Sequence, residues 1–119
     1  MTTETIERTD TATDAAAILE AVRAAAPVIA GRGDEIERGR RLPPDLVGDL
    51  RDAGCFRMLV PTRLGGAAAP LDVHLQLLRE LARADGSVAW TVMIGSLAPA
   101  ILGLLPSATF DGLYADGAD

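Results

Sequence analysis

Residues 81–90 read LARADGSVAW, and this short stretch decides how the whole chain folds. As far as Ala84, leucines and arginines recur in a pattern that a helix sorts into a dry face and a wet face. Asp85-Gly86-Ser87 then interrupts the pattern. Beyond it no charged residue occurs until Asp111, and the chain's one tryptophan, Trp90, stands near the start of that run. Such a run predicts a helix from Val88 to about Leu105, with Ser87 as its N-cap. A helix apolar all round needs cover on most sides.

That helix approaches the roughly 20 residues of a membrane span. Gly95, Ser96, Pro99 and Gly103 weaken it, however, and no basic or aromatic anchors flank it. A central helix is expected instead, wrapped by its neighbours and by something further. Ala89, Ser96, Ala100 and Gly103 fall on one side and make a flat strip for close approach of a backbone or a planar ligand. The plainer reading of the strip is tight helix packing.

Towards the N-terminus, Pro70 opens a helix whose buried stripe is expected at Leu71, Leu75, Leu78 and Ala82. Asp72, Gln76, Arg79, Glu80 and Arg83 lie on or beside its wet face. Before it, Arg63-Leu64-Gly65-Gly66 reads as a turn, and CFRMLVP, residues 55–61, as a short extended run. Pro43-Pro44 starts another helix with Asp45 in its first turn and Leu46, Val47, Leu50 and Ala53 inside. Gly54 is placed to end it in the left-handed conformation. GRGDEIERGRR is frayed helix or a link. From Asp14, a candidate N-cap, Ile18, Val22, Ala25 and Ile29 recur at helical spacing, and Pro27 predicts a kink or break near Ala26.

Composition sets the outer bounds. A chain of 119 residues holds one hydrophobic core at most. It is 49% hydrophobic and 24% charged, ordinary globular usage, yet only 3% aromatic. Small side chains make that core thin. The net charge of −6 argues against a nucleic-acid partner. The single cysteine excludes an internal disulfide and fits a reducing compartment. The first residues, MTTETIERTDTATD, have no secretory pattern and read as a solvated tail over 1–13. A cytoplasmic protein is expected.

Single residues carry little chemistry by themselves. His74 reads as a surface or edge histidine without the companions a metal site needs. Cys55 reads as an inert buried thiol. Glu80, Arg79 and Arg83 read as a solvated face, Gly65-Gly66 as a turn and not a phosphate cradle, and Trp90 as a core anchor. PPDLVGDLRDAGCF suggests a helix-turn-helix, but Pro61 and two glycines follow where a recognition helix would stand.

Taken in order, Pro43, Ala53-Gly54, Val60-Pro61, Gly65-Gly66 and Asp85-Gly86-Ser87 resemble the N-terminal helical domain of the acyl-CoA dehydrogenase superfamily. The resemblance spans about Ile18 to Asp116, and its specificity lies in the order and spacing of several weak motifs. The Asp-Gly-Ser-Val-Ala-Trp form looks closest to the flavin-dependent monooxygenase branch. Members of that branch often carry a histidine on the helix after the tryptophan. Here TVMIGSLAPAILGLLP has none, so dehydrogenation and oxygenation both stay open.

The resemblance implies an all-α fold, an orthogonal bundle of about four to five helices over 14–119, truncated before a β-domain. It implies FAD (or FMN), bound not by this chain alone but with a β-domain and a C-terminal helical bundle. A homo-oligomer is the other candidate partner, and a monooxygenase would add a flavin reductase. No catalytic residue and no metal ligand is carried over. Pocket lining is, at Trp90, Met93, Ile94 and Ser96. A non-catalytic helical interaction module is the alternative. The expected behaviour of the chain alone is association or aggregation without tightly bound flavin.

Overall fold

The structure, a computed structural model, describes the backbone of residues 3–119, with side chains from Asp14 onward. Six α-helices and two 3-10 turns make up the regular structure, and no strand occurs among the described residues.

Helix α1 runs from Thr3 to Ala30. From Thr3 its backbone takes in the segment that the sequence reads as a tail. TETIERTDTATD contains neither proline nor glycine, and extending a helix that already exists costs far less than nucleating one. Asp14 is accordingly not a cap. Its carboxylate accepts two hydrogen bonds from Arg57, at 2.6 and 2.9 Å. Nor does Pro27 break α1, which continues to Ala30. The missing N–H costs one bond near the helix end, and Ile29 beyond it is held in the core. Ala15, Ile18, Leu19 and Val22 supply the rest of the buried face.

The charged segment after α1 forms α2, Gly33–Gly39. Asp34 and Glu35 occupy its first turn and Arg38 its last, the signs that a helix dipole favours. Arg32 bridges Glu35 at 2.9 Å and Asp45 at 2.8 Å, which ties α2 to α3, Pro44–Ala53. Pro44 lies in the first turn, and Gly54 ends α3 at φ 95°. There a Cβ would lie 2.8 Å from Ile18 Cδ1, so both conformation and space require glycine.

CFRMLVP is not extended. Cys55–Arg57 is a 3-10 turn, and a second one follows at Thr62–Leu64. Apolar residues in a row suggested an extended run, but no strand among the described residues is there to pair with it. Instead the following limb folds back. Ala67 N–H donates to Arg57 O, Ala68 N–H to Val60 O and Ala69 N–H to Met58 O, all within 3.0 Å. Gly66 passes so near Val60 that a Cβ would overlap its carbonyl.

Helix α4, Leu71–Ala84, is strongly amphipathic, but its buried face is His74, Leu77 and Leu81. The expected stripe is displaced around the axis: Leu71 and Leu75 are exposed. Helix α5 covers Gly86–Leu102. Asp85, not Ser87, caps it, accepting from Val88 N–H at 3.0 Å. Helix α6, Ser107–Leu113, was not anticipated. Buried Phe110 anchors it, and Arg63 holds Asp111 at 2.6 Å.

The core lies where α1 packs on α4 and α4 on α5, with α3 and the first 3-10 turn against them. Its centre is Ile18, Val22, Leu77, Leu81, Val88 and Val92.

Candidate functional site

Helix α5 is not a central helix wrapped on all sides. Its inner face, Val88, Ala89, Val92, Ser96 and Pro99, is buried. Its outer face is apolar and open: Trp90 is 63% exposed and Ile94 57%. Beyond them Ile101 and, past the helix end, Leu104 continue the exposed ridge. The strip of small residues divides likewise, Ala89 and Ser96 inside, Ala100 and Gly103 outside. The helix carries no ionisable side chain.

The four residues expected to line a pocket therefore do not share one surface. Trp90 and Ile94 stand side by side one turn apart, and half-buried Met93 flanks them. Trp90 and Met93 line one depression of about 350 Å³ together with Leu78, Arg79 and Ala82. Ser96 lies about 120° round the axis from Trp90 at 100° per residue, and it is fully enclosed. Trp90 is thus no core anchor within this chain.

A second groove, about 550 Å³, borders Trp90 on its other side, where Glu37, Arg40, Arg41, Ser87 and Thr91 reach it. Thr91 Oγ1 donates to Ser87 O at 2.9 Å, so its proton is not free. Further along α5, Gly95 approaches Phe56 so closely that a Cβ would lie 2.8 Å from the ring. That contact opens a third groove of about 430 Å³ with Val47, Leu102, Leu113 and Tyr114.

Ser96 pairs with a residue that sequence reading placed at the surface. His74 has 0% exposure, and its Nε2 lies 2.7 Å from Ser96 Oγ. Burial alone lowers the proton affinity of the imidazole below its ordinary value. The signal was present but unused: His74, Leu77 and Leu81 are spaced i, i+3, i+7, one helix face. Both side chains are fully buried, so the pair does not meet a substrate in this arrangement.

Chemically, the open surface is a wall. Trp90 offers an aromatic face and one N–H donor, and Met93 and Ile94 offer apolar contact. Cys55 is fully buried, with its thiol pushed up to about 12 by desolvation, and is no nucleophile. No group of His, Cys, Asp or Glu among the described residues is arranged to hold a metal ion. No described helix is long and apolar enough to cross a membrane. For a flavin, these residues fit one side of a planar ring. Nothing among them cradles a phosphate, since Gly66 packs on Val60 and leaves no space there.

Comparison with known proteins gives this surface a context. The family described as acyl-CoA dehydrogenase, N-terminal domain, matches residues 4–104. An indole-3-acetate monooxygenase of Acinetobacter baumannii is 36% identical over 85 residues, 71% of this chain and 22% of that protein. The enzyme of the same name from Pseudomonas putida is 30% identical over 103 residues, 87% of this chain and 25% of that protein. The oxygenase subunit HsaA of a flavin-dependent monooxygenase from Rhodococcus jostii is 35% identical over 68 residues, 57% of this chain and 18% of that protein. The chain therefore spans about a fifth to a quarter of the curated relatives it matches. No solved structure matches it significantly.

Proposed function

The chain belongs to the acyl-CoA dehydrogenase family through its N-terminal domain, and from that premise we propose that it walls the substrate cavity of a cytoplasmic flavin-dependent monooxygenase. Trp90, Met93 and Ile94 form the wall, and Ser96 stands behind it, bonded to His74. A β-domain and a C-terminal helical bundle complete the cavity and bind FAD or FMN, and a reductase delivers the flavin reduced. The bound flavin supplies electron transfer and oxygen activation. This chain's residues orient an aromatic substrate by ring contact with Trp90 and keep water from the reacting face.

One observation carries the reading: the outer face of α5 is apolar and charge-free on a chain whose net charge is −6. Exposed contiguous apolar surface marks a binding face, and pockets for flat substrates are mostly apolar with few polar groups. The monooxygenase names of the relatives favour aromatic oxygenation over acyl-CoA dehydrogenation, and indole-3-acetate is the first probe to use.

The test pairs this chain with a β-domain and bundle, from its own reading frame or a neighbouring gene. The expected complex is yellow and consumes oxygen with reduced flavin and indole-3-acetate. Trp90→Ala raises KM about tenfold with kcat nearly kept, the loss of uniform binding. A flavin-loaded, active complex with unchanged KM in that variant removes Trp90 from the wall. A stable complex that takes up no flavin points instead to a helical protein-interaction module.

A further inference from the structure

The contact between α4 and α5 is apolar apart from one pair. Leu77, Leu81, Val88 and Val92, all fully buried, give attraction without direction and tolerate small rotations of one helix on another. A hydrogen bond is directional. Among the described residues the only side-chain hydrogen bond joining the two helices is His74 Nε2 to Ser96 Oγ, 2.7 Å, with 0% exposure at both ends. We propose that His74 is a positioning residue: while its ring holds a single proton, the bond to Ser96 fixes the rotation of α5 and so presents Trp90, Met93 and Ile94 outward, and a second proton releases the helix.

The proton count follows from the surroundings. With its proton on Nε2, the ring donates to Ser96 Oγ, and the hydroxyl donates on to Met93 O over a long 3.5 Å. Every donor is then used. Nδ1 remains, buried and without a partner. As a bare acceptor it is tolerable; as the N–H of an imidazolium it would be an unsatisfied donor carrying charge in a closed space, and although Nε2–H could still donate, the charged ring reaches water only by leaving Ser96.

No carboxylate among the described side chains relieves that charge. Helix α5 has no ionisable group. On α1, Arg23 lies 3.9 Å from Glu80 of α4, and Asp14 is bound to Arg57 of the first 3-10 turn. On α4, Asp72, Arg79 and Arg83 are exposed and Glu80 is half-buried. None of these charges contributes to the lowered proton affinity, whose sole cause is burial. The unfolded chain thus binds this proton more readily than the folded one. The contribution of neutral His74 is complete above about pH 6.5 and is lost as pH falls through the lower folded value.

Trp90 and His74 are each the only residue of their kind, so proton NMR of the unaltered chain reads both without assignment by mutation. As pH falls from about 8, the His74 Cε1–H and Trp90 indole resonances should move with one shared midpoint below about 6.5, while far-ultraviolet circular dichroism keeps its helical signal. In His74→Gln, the amide can still donate to Ser96 without titrating, and the Trp90 resonance should stay flat. A Trp90 resonance that holds still while the His74 resonance moves overturns the proposal, and so does a His74 resonance that has not moved by the pH at which the helical signal is lost. So does an unchanged Trp90 transition in folded His74→Gln. Should that variant fail to fold, co-titration in the unaltered chain decides alone. The bearing on a substrate rests on the wall reading above, but these resonances do not, so either claim can fail without the other.

Discussion

The two sides of α5 are built from the same kinds of residue and meet opposite fates. Val88 and Val92 face α4 and are fully buried, whereas Ile94 and Ile101, no less apolar, face outward at 57% and 70% exposure. Hydrophobicity alone therefore does not determine burial here. What separates the sides is the neighbour: α4 has one dry face and one wet face, and it can cover only one side of a helix that has no wet face.

Mutations should expose that difference most sharply in the core. Leu77→Ala is expected to cost about 2–5 kcal/mol, and Ile94→Ala to stay within about 0.5 kcal/mol, both from urea unfolding. Equal losses would break the comparison, because they would mean that the outer face is covered in solution. A smaller contrast separates two glycines. Gly54→Ala forces a left-handed residue and a contact with Ile18, at about 1–2 kcal/mol. Gly112→Ala on α6 meets nothing within 4 Å and should leave the melting temperature unchanged or raise it by helix propensity.

The third contrast is in surface behaviour. Ile101→Glu with Leu104→Glu should cut the binding of a hydrophobic dye and reduce self-association, with little change in melting temperature. Persistent dye binding would place the apolar surface elsewhere. The smallest effect is expected at the Asp14–Arg57 pair, which is partly open to solvent. Its hydrogen bond to Arg57 holds the Asp14 carboxyl below its ordinary value, so the pair stabilises the fold above about pH 4 and the benefit is lost as pH falls through the lowered value. Arg57→Gln should flatten that acid limb of a melting-temperature profile slightly, and an unchanged limb would show the pair to be inert.

Punctuation was the legible part of the sequence. Pro44, Gly54, Gly65 and the Asp85-Gly86-Ser87 break all fall at the ends of elements, because each acts through its own backbone and needs no distant partner. The dry face of α1 was equally readable, since Ile18, Val22 and Ile29 leave no competing stripe. Helix α4 was not. Leu71, Val73, Leu75, Leu77, Leu78 and Leu81 spread over a little more than half of its circumference at about 100° per residue, and the true face within that arc is chosen by what α1 and α5 offer. Treating His74 as polar selected the wrong stripe. CFRMLVP misled for a similar reason: its turns depend on Ala67, Ala68 and Ala69 folding back upon it, a non-local fact. At the site, the open ridge of Trp90 and Ile94 was foreshadowed by the missing charges. The bond between His74 and Ser96 was not, as it joins residues on two different helices.

The absence of ionisable side chains along α5 has one more consequence. Whatever comes to rest on its outer side finds no electrostatic landmark along the axis, and contact with aliphatic side chains is almost indifferent to a slip of a few ångströms. The indole of Trp90, bulky and bearing a lone N–H near one end, stops such sliding together with the charged groove of Glu37, Arg40 and Arg41 beside it. Alignment on this helix is therefore a bolt at one end of a smooth rail.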